Sequence, residues 1–109
     1  MNENNPTVQC LSAQQFKEMR QTQPGVVVDV RTAEEFASGH LEGALNADYR
    51  SGEVEKQIQN WDKEQPYYLH CAGGTRSGKA AQLMAAQGFK KVYNIGGFGD
   101  LKNAGLPTE

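Results

Sequence analysis

Val26-Val27-Val28-Asp29-Val30 is a continuous β-branched run, and it constrains the fold of this chain more than any other stretch. A strand with one wet face alternates apolar and polar residues, whereas an unbroken apolar run has to be covered on both faces, as in a parallel sheet flanked by helices. The run predicts the central strand of such a sheet. The elements around it agree in kind. Thr7-Val8-Gln9-Cys10 predicts a short strand, and Ser12 with Gln15 forms a capping box that opens a helix to about Gln21. Gln23-Pro24-Gly25 is a turn. Thr32 and Glu35 form a second capping box for a short helix closed by Gly39, and Ala44-Leu45-Asn46 predicts another short strand. Between Glu53 and Trp61, Val54, Ile58 and Trp61 fall on one helical face. Tyr67-Tyr68-Leu69 predicts a buried strand after Gln65-Pro66. Gly78 to Gln87 predicts a helix packed through Ala80, Leu83, Met84 and Gln87 and stopped by Gly88. Lys91 to Ile95 predicts a last strand broken at Gly96-Gly97, before a closing segment that ends at Pro107. This alternation predicts an α/β fold: a central, mainly parallel five-stranded sheet with helices on both faces and ligands at the carboxyl ends of its strands.

One such end carries chemistry. His70-Cys71-Ala72-Gly73-Gly74-Thr75-Arg76-Ser77 places a cysteine after a strand, then a glycine-rich loop, then an arginine as a helix begins. Helix N-termini offer unpaired N–H groups and a positive dipole end, so a thiol held above one ionises more easily. An ordinary thiol with a pKa of ~8.5 is only ~3% thiolate at pH 7, and one lowered to ~6.5 is roughly three-quarters thiolate. Cys71 is therefore the candidate nucleophile. Gly73 and Gly74 let the loop curl so that its amides, with those of Thr75 to Ser77, turn toward the sulfur, and a side chain there would block the cradle. His70 precedes Cys71 on a strand, points to the opposite side of the sheet and is read as structural. Asp29 and Arg31 are expected to pair with each other and with loop backbone in a supporting role. Tyr93 and Trp61 are read as core, and Lys79 stands in the first helical turn, where it adds positive potential or is simply solvated.

Composition narrows the function classes. The chain has 109 residues, enough for one core without disulfides or metal, and a net charge of −2 that gives no reason to expect nucleic acid or an anionic membrane as partner. Two cysteines 61 positions apart, without a CxxC pair or a Cys/His cluster, argue against zinc and against a disulfide scaffold. Cys10 is read as a packing residue. No metal or other cofactor is called for, and nothing demands more than a monomer. Met1 to Pro6 is polar and resembles neither a signal peptide nor a membrane span, so cytoplasm is the expectation, although a mature periplasmic form reads the same way.

With these residues in view, the chain resembles the single-domain rhodaneses, a family of sulfurtransferases, over residues 7–107, with 1–6 as a polar extension. Three stretches carry the resemblance. Val28-Asp29-Val30-Arg31, Glu35-Phe36 and Gly39-His40-Leu41-Glu42-Gly43-Ala44-Leu45-Asn46 are similar to the family's amino-terminal signature, and Cys71 to Ser77 to its active-site loop. Gly96-Gly97-Phe98 with Ala104-Gly105-Leu106-Pro107 is similar to its carboxyl-terminal signature. Leu101 departs from the tryptophan common there, which touches packing and not chemistry. The resemblance implies that Cys71 attacks the outer sulfur of thiosulfate or a persulfide donor, holds it as a persulfide and passes it to cyanide or a thiol, with a protein as a further candidate acceptor. Ala72, Gly73, Gly74, Thr75, Arg76 and Ser77 would bind the substrate. Arg76 is the natural clamp on sulfonate oxygens, since a hydrogen bond to a charged group is worth ~1.5–3 kcal/mol against ~0.3–1 for a helix dipole. His40 is expected to organise a turn.

Three other readings compete. A cysteine phosphatase or arsenate reductase also cradles an anion, but its loop places five residues between cysteine and arginine, where this chain has Ala72, Gly73, Gly74 and Thr75. Gly73 to Ala80 nearly matches a nucleotide phosphate loop, yet Ala80 has no hydroxyl for magnesium. A non-catalytic module that relays sulfur for a protein partner would use the same loop.

Overall fold

The structure, a computed structural model, describes residues 8–109; Thr7 and the polar extension 1–6 lie outside the described residues. Among the described residues five strands and five helices alternate: β1 (Gln9–Cys10), α1 (Ala13–Thr22), β2 (Val26–Asp29), α2 (Ala33–Ala37), β3 (Leu45–Asn46), α3 (Glu53–Gln57), β4 (Pro66–Cys71), α4 (Thr75–Ala86), β5 (Lys91–Gly97) and α5 (Phe98–Asn103). A single 3-10 turn, Ile58–Asn60, extends α3. The strands form one sheet in the order β1-β5-β4-β2-β3, and every pairing is parallel.

The Val26 run is a strand of this sheet, but the centre belongs to β4. All six residues from Pro66 to Cys71 are buried, whereas Val26 and Val27 are only half-buried. The reason is coverage. β3 is two residues long and pairs only with Val28 and Asp29, so the first half of β2 has no strand on that side. Both expected capping boxes form: Ser12 Oγ accepts from Gln15 N–H while the Gln15 side chain accepts from Ser12 N–H, and Thr32 and Glu35 do the same. Gly96-Gly97 does not end β5. Leu69 pairs with Asn94 but Cys71 with Gly97, so β5 carries one extra residue, a bulge that Gly96 accommodates at φ +92°.

Period-two alternation in β4 divides the core between the two faces. Tyr67, Leu69 and Cys71 pack with Val54 and Ile58 and with Ala80, Ala81 and Met84 of α4. Tyr68 packs on the other face with Phe16 of α1 and Leu101 of α5. The buried face of α4 runs through Ser77, Ala80, Ala81 and Met84, so the expected Leu83 and Gln87 are only half-buried. Two alanines where the helix crosses β4 and β5 bring it close to the sheet and swing Leu83 to the rim. Tyr93 is core, and Trp61 is half-buried but stacks on Tyr67 at 5.3 Å. Leu101 is fully buried in the position of the family's tryptophan. Cys10 is exposed, which corrects its reading as a packing residue: it sits on a two-residue strand at the edge of the sheet, paired with β5 on one side only.

Three polar side chains are buried beside β2 and β4. Asp29, at the end of β2, takes a forked pair from Arg31, with Nε to Oδ1 at 2.9 Å and a terminal nitrogen to Oδ2 at 2.7 Å. The same Arg31 nitrogen donates to Gly39 O, and the guanidinium lies 4.4 Å over Phe98. His70 is fully buried, with Nδ1 3.3 Å from Cys71 O, while its Nε2 lies 3.7 Å from Asp29 Oδ2 and has no hydrogen-bond partner among the described residues. Burial depresses the His70 pKa, the Asp29 charge and the Cys71 carbonyl pull it up, Arg31 lowers it, and the net direction is down. His40 organises its turn as expected: Nδ1 lies 2.9 Å from Phe36 O, the ring stacks on Phe36, and its backbone pairs with Glu109.

Two outcomes follow. In the unfolded chain His70 titrates near 6.5, and the fold holds it neutral below that, so acidification through 6.5 protonates the unfolded state first and stability falls. The melting temperature should drop between about pH 7 and pH 5, and His70→Asn should flatten that slope. Gly97 has an ordinary φ of −108°, but a Cβ there would collide with Ala72 O. Gly97→Ala should therefore cost about 1–3 kcal/mol of unfolding free energy in a urea titration.

Candidate active site

Cys71 is the last residue of β4, and three loop residues later α4 begins. The reversal is made at Gly74, whose φ of +99° is a left-handed conformation that other residues resist, with Gly96 Cα 3.5 Å from where its Cβ would stand. Gly73 is different: a Cβ there meets open space, so the expectation that any side chain at Gly73 blocks the cradle is corrected. The turn leaves amides without helical partners, and the sulfur collects them. Gly74 N–H donates to Cys71 Sγ at 3.0 Å and Ser77 N–H at 3.4 Å. Ser77 Oγ lies 3.5 Å from the sulfur and 2.8 Å from Asn94 Oδ1, so its single proton has two acceptors and the asparagine is nearer.

The balance on the thiol is set by opposing effects. Burial is the largest single influence and pushes the Cys71 pKa up, but hydrogen bonds from the Ser77 hydroxyl and amide and from the Gly73 and Gly74 amides outweigh it. The net direction is down from the ordinary value. Of the expected donors, Gly74 and Ser77 come closest to the sulfur and the Gly73 amide adds to them, while Ala72 and Thr75 stay exposed in the loop and the first turn.

Asn94 holds the loop from the neighbouring strand. Its Oδ1 accepts from Ser77 Oγ and Gly96 N–H, and its Nδ2 donates to Gly74 O at 3.1 Å. Sequence reading missed it. The available signal was a polar residue inside the otherwise apolar Val92-Tyr93-Asn94-Ile95.

Cys71 opens on a cleft of about 410 Å³ lined by Tyr49, Arg50, Gly73, Thr75, Arg76 and Lys79. A larger hollow of about 640 Å³ lies elsewhere, around Pro24 and Leu45, without a nucleophile. Arg76 reaches the cleft already paired. Its terminal nitrogens donate to Glu35 Oε1 at 2.9 Å and Oε2 at 3.2 Å, which with the Thr32 N–H holds the Glu35 carboxyl at about 2. Such a partly exposed pair contributes only about 0–1 kcal/mol to stability, so its effect is orientation. Two N–H groups of the guanidinium are spoken for and three remain. Glu35 appeared in the sequence as a helix cap and as part of the amino-terminal signature, not as a partner of Arg76; Tyr49 and Arg50 carried no signal at all. Asp29 and Arg31 belong to the face opposite Cys71 with His70, and His40 lies at the carboxyl-terminal turn, so none of the three lines the cleft.

A buried cysteine under helix and loop amides at a strand end, ringed by cations, is equipped to act as a nucleophile toward anions. Residues 12–104 match the family model of the rhodanese-like domain. The thiosulfate sulfurtransferase GlpE of Pseudomonas putida is 38% identical over 96 residues, covering 88% of this chain and 86% of that one. The putative sulfur carrier protein YrkF of Bacillus subtilis is 34% identical, covering 85% of this chain and 50% of its own length. The crystal structure of a rhodanese-like domain protein from Staphylococcus aureus superposes with a TM-score of 0.76 at 29% identity, covering 90% of this chain and 95% of that one. With its fold, its strand-end cysteine loop and these likenesses in agreement, the chain belongs to the rhodanese-like domain family.

Proposed function

We propose that this protein is a sulfurtransferase of the thiosulfate sulfurtransferase type, with Cys71 as the nucleophile. The observation that carries the reading is the sulfur itself: Gly74 and Ser77 amides converge on Sγ at 3.0 and 3.4 Å at the floor of a cationic cleft. The likeness to GlpE supports thiosulfate as donor.

In the first half-reaction the Cys71 thiolate attacks the outer sulfur of thiosulfate. The Cys71 S–S bond forms, the S–S bond of the donor breaks, and sulfite leaves with the electron pair. The persulfide that remains carries a terminal sulfur anion, and the nest of amides suits that charge as it suits the thiolate. In the second half-reaction cyanide or a thiolate attacks the terminal sulfur, takes it as thiocyanate or persulfide, and returns Cys71 as thiolate. No net oxidant, metal or cofactor is consumed. Ala72, Gly73, Gly74, Thr75 and Ser77 form the substrate cradle, and the free donors of Arg76 add to it. Asp29, Arg31 and His40 act through the scaffold: a buried ion pair and a stacked turn that keep β2 and α2 in place beneath the site.

A second reading has its own support. The likeness to YrkF favours a module that hands sulfur to a protein acceptor, with the same persulfide and a different second step. A cysteine phosphatase or arsenate reductase is the lesser alternative.

Intact-mass measurement after thiosulfate treatment should show one added sulfur atom, mapped to the Cys71 peptide and discharged by cyanide as thiocyanate. Cys71→Ser should lose both while keeping the fold; thiocyanate formation by that variant, or hydrolysis of an aryl phosphate without any sulfur adduct, would remove the assignment. Because hydrogen bonds, the Ser77 hydroxyl first among them, are the main influences that lower the thiol pKa, Ser77→Ala should move the inflection of Cys71 alkylation by iodoacetamide to higher pH. An unchanged inflection would mean that the Ser77 hydroxyl does not serve the sulfur and gives its proton to Asn94 alone.

A further inference from the structure

Arg50 lies between β3 and α3 in a stretch without a motif, yet it lines the cleft that holds Cys71. It also lines an adjoining hollow of about 440 Å³ that includes Val54, Glu55 and Leu83, so Tyr49 and Arg50 form the wall the two hollows share. Three cations border the sulfur's cleft, and they are not equivalent. Arg76 is forked onto Glu35. Arg50 and Lys79 make no ion pair with a carboxylate among the described residues. The nearby acids are Glu35 on Arg76, Asp48, whose Oδ1 accepts the Arg50 backbone N–H at 3.0 Å, and Glu55 in the adjoining hollow.

An anion that reaches Arg76 has to share it with a carboxylate that repels the anion. One that reaches Arg50 meets a guanidinium whose donors are not claimed by any carboxylate. We propose that Arg50 is the specificity-determining cation of the site, taking the anionic end of the sulfur donor, with Lys79 assisting and Arg76 held by Glu35 as a fixed wall. The proposal rests on the sulfurtransferase reading for the donor's identity but not for its charge. It assigns anion selection to a loop outside the cysteine motif. Because Arg50 is exposed, its effect has to weaken as salt screens it.

The test uses the full chain with Arg50→Gln, Arg50→Lys and Arg76→Gln. In Arg50→Gln the KM for thiosulfate should rise about tenfold with kcat little changed, the rise should shrink toward 1 M salt, and Arg50→Lys should recover most of it. Independently of sulfur transfer, Cys71 alkylation by the anion iodoacetate should slow about threefold relative to neutral iodoacetamide in Arg50→Gln. The reaction is read on the Cys71 peptide, since exposed Cys10 reacts as well. An iodoacetate to iodoacetamide ratio equal to that of the parent protein, an equal slowing with both reagents, or a larger fall in Arg76→Gln overturns the proposal. If the parent protein takes no sulfur from thiosulfate, the functional reading fails while the alkylation ratio still decides the role of Arg50.

Discussion

A sulfur that is buried and still inclined to be an anion has to be solvated by the protein, and the structure around Cys71 is arranged to meet that requirement. With only 1% of Cys71 exposed, water supplies little of that solvation, and a single cation would bind the thiolate rather than free it for attack. Backbone amides are the remaining donors, and a chain offers unpaired ones in quantity only where a helix begins. A strand therefore has to end at the cysteine, a left-handed glycine has to reverse the chain within three residues, and a helix has to start at once. β4, Gly74 and α4 are those three things. The parallel sheet is the scaffold that makes the sequence of events possible, since it points successive strand ends at successive helix starts.

Supporting this arrangement takes contacts from outside the loop. Asn94 fixes the loop's carbonyl and the Ser77 hydroxyl from the next strand, and the regular register that pairs it with Leu69 puts it on the Cys71 face of the sheet. Gly97 stays bare because the carbonyl of Ala72 occupies the space beside it. On the far face of the sheet the forked Asp29 and Arg31 pair and the neutral His70 fill the region beneath α5. The site is thus held from both faces, although only one of them touches substrate.

What could be read from the residues alone divides by range. The Cys71 loop was legible because its chemistry is local: nucleophile, glycines and helix start occur within eight consecutive positions. The capping boxes at Ser12 and Thr32 were legible for the same reason. The rank of the Val26 strand in the sheet was not, because that depends on how far the two-residue β3 reaches along it. Cys10 looked like a packing residue since free cysteines usually are, and only the position of β1 at the sheet edge exposes it. Asn94, Tyr49 and Arg50 join the site through the folded path of the chain, and the partner of Arg76 comes from 41 positions away. None of these is encoded near the cysteine.

The carboxylate of Glu35 does two jobs at once. Through Oε1 it accepts the Thr32 amide that starts α2, and through both oxygens it grips the guanidinium of Arg76 across the cleft. A short helix of five residues is thereby stitched to the first turn of α4 by a single side chain. A ligand that drew Arg76 away would cut this tie and leave the Thr32 cap in place, so occupancy of the cleft would be felt in the amino-terminal half of the chain as the release of α2 from α4.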